Sequence, residues 1–161
     1  MRERIRKSAG YLCLSALLIG IDQLVKRWAY VSLRPTDGIP LIPGLIGLRY
    51  AENTGAAFSV FSGSTLLLTL FSLIVCIALV VWLVRRPEMK WTLRLPLSVV
   101  LAGGVGNLID RAMYGYVVDM FEFQFIRFAI FNVADICITL GAIGLLAALM
   151  FGGDEHGHVE N

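Results

Sequence analysis

Charged residues are scarce in this sequence, and one long stretch has none. They account for 16% of the 161 residues, against 57% hydrophobic residues and a mean hydropathy of +0.74, whereas soluble proteins carry about 25% charged residues. The stretch from Ser64 to Val84 has no charged side chain and has the length of about 20 residues that a helix needs to cross a bilayer. This shortage of charge excludes an ordinary soluble domain and predicts a membrane protein.

The sequence is also poor in residues that bind metals or activate nucleophiles. Its two histidines, His156 and His158, lie in the polar C-terminal tail and are poorly placed for chemistry in the membrane. It lacks an HExxH zinc motif, a P-loop and a dinucleotide-binding fingerprint. The cysteines are odd in number and fall within apolar segments, so we expect them to pack as small apolar side chains: Cys13, Cys76 and Cys137.

Four segments have the length and apolar character of membrane spans. We predict spans at about residues 11–30, 64–84, 95–111 and 131–151. A cytoplasmic loop at about 85–94 and two external segments at about 31–63 and 112–131 would connect them. The predicted fold is an all-α membrane protein with four transmembrane helices, forming a single integral membrane domain over residues 1–161.

Arginine and lysine predict the orientation of these spans, because positively charged flanks stay in the cytoplasm. They are concentrated in the N-terminal segment "RERIRK" and in the loop after the second span, "RRPEMKWTLR". Both termini are therefore expected to be cytoplasmic. A cleavable signal peptide at the N-terminus is the alternative, but no small-x-small cleavage site follows the first apolar run.

The two external segments differ in composition. Segment 31–63 has prolines and glycines around short β-type pieces such as "LIGLRYAE" and "GAAFSVF", which predicts a small extracytoplasmic β-type cradle. Segment 112–131 is rich in aromatic residues, which are favoured at the membrane interface. We expect it to form a second interfacial loop or helix.

Polar residues are concentrated at the outer ends of the predicted spans. Ionisable side chains within a membrane are costly and usually mark paired or functional positions. With the predicted orientation, five polar groups meet on one side of the membrane, which predicts a functional site there. They are Asp22 with Lys26, "ENTGAAF" from Glu52, "GNLIDR" from Gly106, "VVDMF" from Val117, and "FNVAD" from Phe131.

Each of these groups also has a purely structural interpretation. Asp22 and Lys26 have the i, i+4 spacing of a helix ion pair. Asn132 could cap a helix with Asp135 three residues later. Asp110 and Arg111 could anchor neighbouring backbone at the interface. Asp119 could be an ordinary surface carboxylate in the second external segment, with no functional role.

Together, the groups favour a pair of carboxylates as the catalytic element. Two close carboxylates can share one proton, because like charges at short range separate the two titrations. The ionised member can then take a proton from water as the water attacks a peptide carbonyl, while the protonated member hydrogen-bonds the carbonyl oxygen. The spacing leaves open which two of four aspartates are partners: Asp22, Asp110, Asp119 and Asp135.

Four ordered motifs between the predicted spans resemble the lipoprotein signal peptidase family, also called signal peptidase II. They are "ENTGAAF", "GGVGNLIDR", "GYVVDMF" and "FNVADICITLG". The resemblance implies a catalytic dyad of Asp119 and Asp135. It implies substrate binding or support of the dyad by Asn53, Gly55, Asn107, Arg111 and Asn132. Asp22, Lys26 and Asp110 match family positions as well, and for these we expect folding and local pairing.

The resemblance also implies the reaction and its location. The family removes the signal peptide from diacylglyceryl-modified prolipoproteins in the bacterial inner membrane, cleaving on the N-terminal side of the lipidated cysteine. It needs no metal, and we expect no cofactor and no nucleic acid partner. We expect the chain to contact membrane lipid, to act as a monomer, and to have its active site at the extracytoplasmic face.

Other functions remain open at this point. A proton-coupled small membrane transporter would also bury aspartates, although it would usually place them near the membrane midplane and show repeated halves. A non-enzymatic scaffold would use Asp119 and Asp135 for folding alone. A Ser/Lys peptidase could use Lys26, although Asp22 one turn away would keep that lysine protonated.

Overall fold

Four long helices account for most of this computed structural model, which describes residues 2–55 and 65–151. Each of these helices is long and apolar enough to cross a membrane. The 21 residues of the second helix span about 30 Å at 1.5 Å per residue, which matches the hydrocarbon thickness of a bilayer. The helices are α1 (Arg2–Ser32), α2 (Thr65–Arg85), α3 (Trp91–Tyr114) and α4 (Val133–Phe151).

The helices confirm the four-span fold, but their ends differ from those of the predicted spans. Helix α1 begins at Arg2 and α3 begins at Trp91, both earlier than predicted. Apolar composition marks the part of a helix that lies in hydrocarbon, whereas backbone hydrogen bonding continues into the polar interface. Helix α4 begins later than predicted, at Val133, and Ser64 at the predicted start of the second span lies outside the described residues.

The outer surfaces of the bundle are apolar. Leu66 and Phe71 of α2 are 73% and 65% exposed, and Leu149 of α4 is 68% exposed. Such large contiguous apolar surfaces are unfavourable in water but suit the hydrocarbon of a bilayer. The chain is therefore a multi-pass membrane protein.

Helix α3 packs against each of the other three helices. A side chain added at Gly103 would meet the backbone of α4. One added at Gly104 would contact Cys76 of α2, and one at Gly106 would collide with Asp22 of α1. Three glycines within a single turn thus allow close approach to three different helices, which brings the polar ends of α1, α3 and α4 together.

A small antiparallel sheet covers one end of the bundle. Its strands are β1 (Ile39–Ile42), β2 (Ile46–Asn53) and β3 (Val117–Phe123), in the order β1-β2-β3. Leu48 of β2 and Met120 of β3 pack in one buried cluster with Ala29 of α1 and with Leu33, which directly follows α1. The sheet therefore lies against the C-terminal end of α1.

Strand β3 departs from the sequence prediction, because it lies in segment 112–131, where we expected an interfacial loop or helix. Helix α3 ends at Tyr114, and Gly115 adopts a left-handed conformation with φ of 79°, which turns the chain toward the sheet. Strand β2 then provides backbone partners for β3, with Ala51 opposite Asp119. The piece "LIGLRYAE" falls in β2 as expected, and most of "GAAFSVF" lies outside the described residues.

Candidate active site

Asp119 lies in the buried part of strand β3 and is only 2% exposed. Asn53, at the end of β2, donates from Nδ2 to Asp119 Oδ2 at 3.1 Å. The Oδ1 atom of Asn53 accepts the N–H of Gly55 at 3.0 Å. Because a backbone N–H can only donate, Asn53 is held with its NH2 group toward the carboxylate.

Asn132 and Asp135 form a capping box at the start of helix α4. Asn132 Oδ1 accepts the N–H of Asp135 at 2.9 Å, and Asp135 Oδ2 accepts the N–H of Asn132 at 3.2 Å. This is the capping arrangement that their spacing predicts. Asp22 of α1 provides a second cap, because its Oδ1 accepts the N–H of Ala134 at 2.9 Å.

Asn132 also connects Asp135 to Asp119. Its Nδ2 atom donates to Asp119 Oδ1 at 2.6 Å, and the residue is completely buried. On the other side of Asp135, Asn107 of α3 donates from Nδ2 to Asp135 Oδ1 at 2.8 Å. Local capping and the connection between the two carboxylates are thus carried by the same asparagine.

A buried lysine lies behind Asn107. The Nζ atom of Lys26 is 2.9 Å from Asp22 Oδ2 and 3.0 Å from Asp110 Oδ2, and it donates to Asn107 Oδ1 at 2.9 Å. Asp110 also accepts the backbone N–H of Val118 at 3.0 Å, which fixes the start of β3 to α3. The expected Asp22–Lys26 ion pair is present, as part of a larger buried cluster that joins α1, α3 and β3.

Arg111 connects α3 to the turn after β2. Its Nη2 atom donates to the carbonyl of Gly55 at 3.0 Å. Its Nε atom is buried and has no hydrogen-bond partner within the part of the chain that the structure describes. A guanidinium with an unused donor beside two carboxylates is suited to binding a carbonyl oxygen of a peptide.

The environment of Asp119 favours its protonated form. Burial, followed by the negative charge of Asp135, raises the pKa of Asp119 to about 7, although hydrogen bonds from Asn53 and Asn132 act in the opposite direction. A carboxyl group with this pKa is about half protonated at neutral pH. It can therefore donate a hydrogen bond or a proton under conditions in which an ordinary aspartate cannot.

Within residues 2–55 and 65–151, no group of three or more histidine, cysteine, aspartate and glutamate side chains is arranged to hold a metal ion.

Comparison with known proteins identifies the family. A family model for signal peptidase (SPase) II matches residues 14–151. The chain belongs to the signal peptidase II family. Two relatives are lipoprotein signal peptidases from Streptococcus pneumoniae, 41% identical over 91% of this chain and 95% of the relative, and from Clostridium acetobutylicum, 40% identical over 87% and 93%.

Two solved structures of bacterial membrane enzymes share the fold of this chain. One bacterial membrane enzyme determined by the in meso method superposes with a TM-score of 0.85 at 26% identity, covering 94% of this chain and 95% of that one. A second superposes with a TM-score of 0.80 at 28% identity, covering 91% and 95%. As a member of the signal peptidase II family, the chain is a peptidase and therefore a hydrolase.

In this signal peptidase II family member, one continuous set of hydrogen bonds and ion pairs joins all of the site residues predicted from sequence. The set runs through Asp22, Lys26, Asp110, Asn107, Asp135, Asn132, Asp119, Asn53, Gly55 and Arg111. Sequence reasoning missed Gln23, whose Nε2 donates to Asp110 Oδ1 at 3.0 Å and to the carbonyl of Gly106 at 3.2 Å. No motif marks this residue, and only its position beside Asp22 could have suggested it.

Proposed function

We propose that this chain removes the signal peptide from diacylglyceryl-modified prolipoproteins by cleaving on the N-terminal side of the lipidated cysteine. In this proposal Asp119 and Asp135 form the catalytic dyad. Membership of the signal peptidase II family supports the reaction class. The family resemblance supports a lipidated substrate, and so does the apolar surface of the bundle, which would let a membrane-embedded peptide approach from lipid.

One observation carries the dyad assignment. Asn132 contacts both carboxylates, through Nδ2 to Asp119 Oδ1 at 2.6 Å and through its backbone N–H to Asp135 Oδ2 at 3.2 Å. Asn132 therefore joins the two carboxylates at one site, where the charge of Asp135 acts on Asp119, as a pair that shares a proton requires. Asp22 and Asp110 are instead both paired with Lys26, which suits them to a supporting role.

The reaction begins with Asp135 ionised and Asp119 protonated. Asp135 takes a proton from water while the water oxygen bonds to the scissile carbonyl carbon, and Asp119 gives its proton to the carbonyl oxygen. The resulting gem-diol collapses when its C–N bond breaks. Asp135 then passes its proton to the leaving nitrogen, and Asp119 recovers a proton from the collapsing diol, so the dyad returns to its starting state.

Polar side chains around the dyad would hold the peptide backbone. Arg111 has a buried Nε donor that is free within the described residues, and Gly55 lies beside it. We assign substrate binding to Arg111 and to the turn at Asn53 and Gly55. Asn107 and Asn132 support the dyad directly, since each donates to one of the two carboxylates.

We further propose that the protein lies in the bacterial inner membrane as one domain over residues 1–161, with both termini cytoplasmic and the site at the extracytoplasmic face. The distribution of lysine and arginine supports this orientation. The N-terminal part of α1 contacts the C-terminal end of α2, where Arg4 donates to the carbonyl of Arg85 at 3.5 Å. Asp22 and Lys26 lie in the opposite half of α1. We propose that the enzyme contacts membrane lipid and works as a monomer.

The test is cleavage of a purified diacylglyceryl-modified prolipoprotein by the detergent-solubilised enzyme. Asp119→Asn and Asp135→Asn should each reduce kcat by at least about 100-fold, because each removes a proton-transfer group. The exposed Asp37 provides a matched control, and Asp37→Asn should keep wild-type activity. Absence of cleavage by the wild-type enzyme, or normal cleavage by either folded dyad variant, would overturn the proposal.

A further inference from the structure

Three asparagine side chains donate to the proposed catalytic carboxylates, and each must present its NH2 group rather than its oxygen. The two ends of an amide have nearly the same shape, so a separate contact must fix the orientation of each. For Asn53 this contact is the N–H of Gly55, and for Asn132 it is the N–H of Asp135. A backbone N–H cannot become an acceptor, so these two amides have one favourable orientation.

Asn107 is oriented by side chains instead. Its Oδ1 atom accepts from Lys26 Nζ at 2.9 Å and from Asn132 Nδ2 at 3.1 Å, while its Nδ2 atom donates to Asp135 Oδ1 at 2.8 Å. Lysine has donors only. A reversed amide would place its NH2 group against the ammonium group of Lys26 and its oxygen against the Asp135 carboxylate, so Lys26 disfavours that orientation at one end and Asp135 at the other.

Lys26 is itself held firmly in place. It is 3% exposed, and its ammonium group has one partner for each of its three protons: Asp22 Oδ2, Asp110 Oδ2 and Asn107 Oδ1. By formal charge, the cluster of Asp22, Lys26 and Asp110 holds two negative groups and one positive group. The ammonium donor that Lys26 presents to Asn107 Oδ1 is therefore a fixed feature of the folded bundle.

We propose that Lys26 is a positioning residue for catalysis, which orients the Asn107 amide so that its N–H stabilises ionised Asp135 as this group activates water. The inference rests on the proposed function and assigns Lys26 a role beyond local pairing. Lys26 acts through Asn107 and touches no reacting atom. The charged groups that face this network are Asp22 and Lys26 from α1, Asp110 and Arg111 from α3, Asp119 from β3, and Asp135 from α4.

The test distinguishes orientation of the Asn107 amide by Lys26 from a general effect of the positive charge of Lys26 on the site. In the double variant Asp22→Asn/Lys26→Met, one negative and one positive charge are removed together, so the net charge of the cluster stays the same. The Asn side chain at position 22 can still accept the N–H of Ala134. This double variant, Asn107→Leu and the combined triple variant are compared with wild type for kcat/KM across pH, and thermal unfolding in detergent establishes that each is folded.

We expect the double variant to lose about 10- to 150-fold in kcat/KM, the range for a hydrogen bond to a charged group. The acidic limb of its pH profile should move to higher pH, because ionised Asp135 loses the N–H donor that Lys26 holds in place on Asn107. Asn107→Leu should show the same loss and shift. Since both changes interrupt one contact, the triple variant should lose no more than Asn107→Leu alone.

A double variant with wild-type kcat/KM and pH profile would overturn the inference, and so would losses that multiply in the triple variant. If the double variant does not fold, Asn107→Asp decides the matter. That substitution keeps the volume and the contact with Lys26 but presents oxygen to Asp135, so wild-type activity would overturn the inference. The same assay includes the wild-type enzyme and the Asp119→Asn and Asp135→Asn variants. If the wild type cleaves and both of these variants are inactive, the proposed function is supported even when the inference about Lys26 fails.

Discussion

Asn132 performs two tasks that a single pair of variants can separate. As the N-cap of α4, it accepts the N–H of Asp135 at 2.9 Å; as a donor, it reaches Asp119 at 2.6 Å. Serine can accept the same backbone N–H but is too short to replace the amide contact with Asp119. Asn132→Ser should therefore keep the cap and lose the donor, whereas Asn132→Ala loses both.

The expected magnitudes follow from these two contacts. Loss of a capping side chain costs about 1 kcal/mol, within a range of about 0.5–2 kcal/mol. The two variants differ by one hydroxyl group in the same completely buried position, so Asn132→Ser should be about 1 kcal/mol more stable than Asn132→Ala. Both lose a hydrogen bond to a charged or partly charged carboxyl group, worth about 1.5–3 kcal/mol. If that bond is made in the transition state, kcat/KM falls about 10- to 150-fold in both variants.

The assay combines thermal unfolding in detergent with kcat/KM for a lipidated prolipoprotein. Stability should improve from the alanine to the serine variant while kcat/KM stays equally low. If serine restores stability and activity together, Asn132 acts only by capping α4, and its contact with Asp119 has no catalytic value. That result would refute our reasoning about the bridge between the two carboxylates.

Two further predictions concern Asp119 and the packing of α3. Burial and the charge of Asp135 raise the pKa of Asp119 to about 7, so the folded state binds this proton more tightly than the unfolded chain does. The free energy of unfolding should therefore fall by a few kcal/mol as the pH rises from about 4 to about 7. Asp119→Asn should remove that part of the pH dependence, and an unchanged dependence of thermal unfolding on pH in the variant would contradict the raised pKa. Gly106→Ala should destabilise the protein by about 1–3 kcal/mol, because the added methyl group would collide with Asp22. Gly20→Ala is the control: no atom lies near the added methyl group, so thermal unfolding should show a neutral or slightly stabilising effect. Equal stability of the two variants would count against close packing at Gly106.

The membrane fold was predictable because its signal is strong and local. A continuous apolar run such as the one within α2 has few alternatives to a spanning helix. The capping pair of Asn132 and Asp135 and the ion pair of Asp22 and Lys26 were predictable for the same reason, since their partners are close in sequence. In each case the spacing along one helix determines which side chains meet.

Contacts between distant segments were not predictable in this way. Strand β3 forms because β2 offers it a partner, although the two strands are separated by α2 and α3 along the chain. The contact of Lys26 with Asn107 and that of Asn132 with Asp119 likewise depend on how helices and sheet pack. Residue spacing left four aspartates as candidates for the dyad, and the choice of two came from the family resemblance.

The packing explains why neutral amides, and not lysine or arginine, contact the proposed dyad most closely. Each carboxylate oxygen accepts one N–H: Asp119 from Asn132 and Asn53, and Asp135 from Asn107 and the backbone of Asn132. A cation at any of these positions would strongly favour two ionised carboxylates and would remove the shared proton. Lys26 lies one side chain further away, where it can orient Asn107 without neutralising the dyad. In the proposed mechanism, orientation of the Asn107 amide by a more distant cation would therefore let buried Asp119 and half-buried Asp135 share one proton.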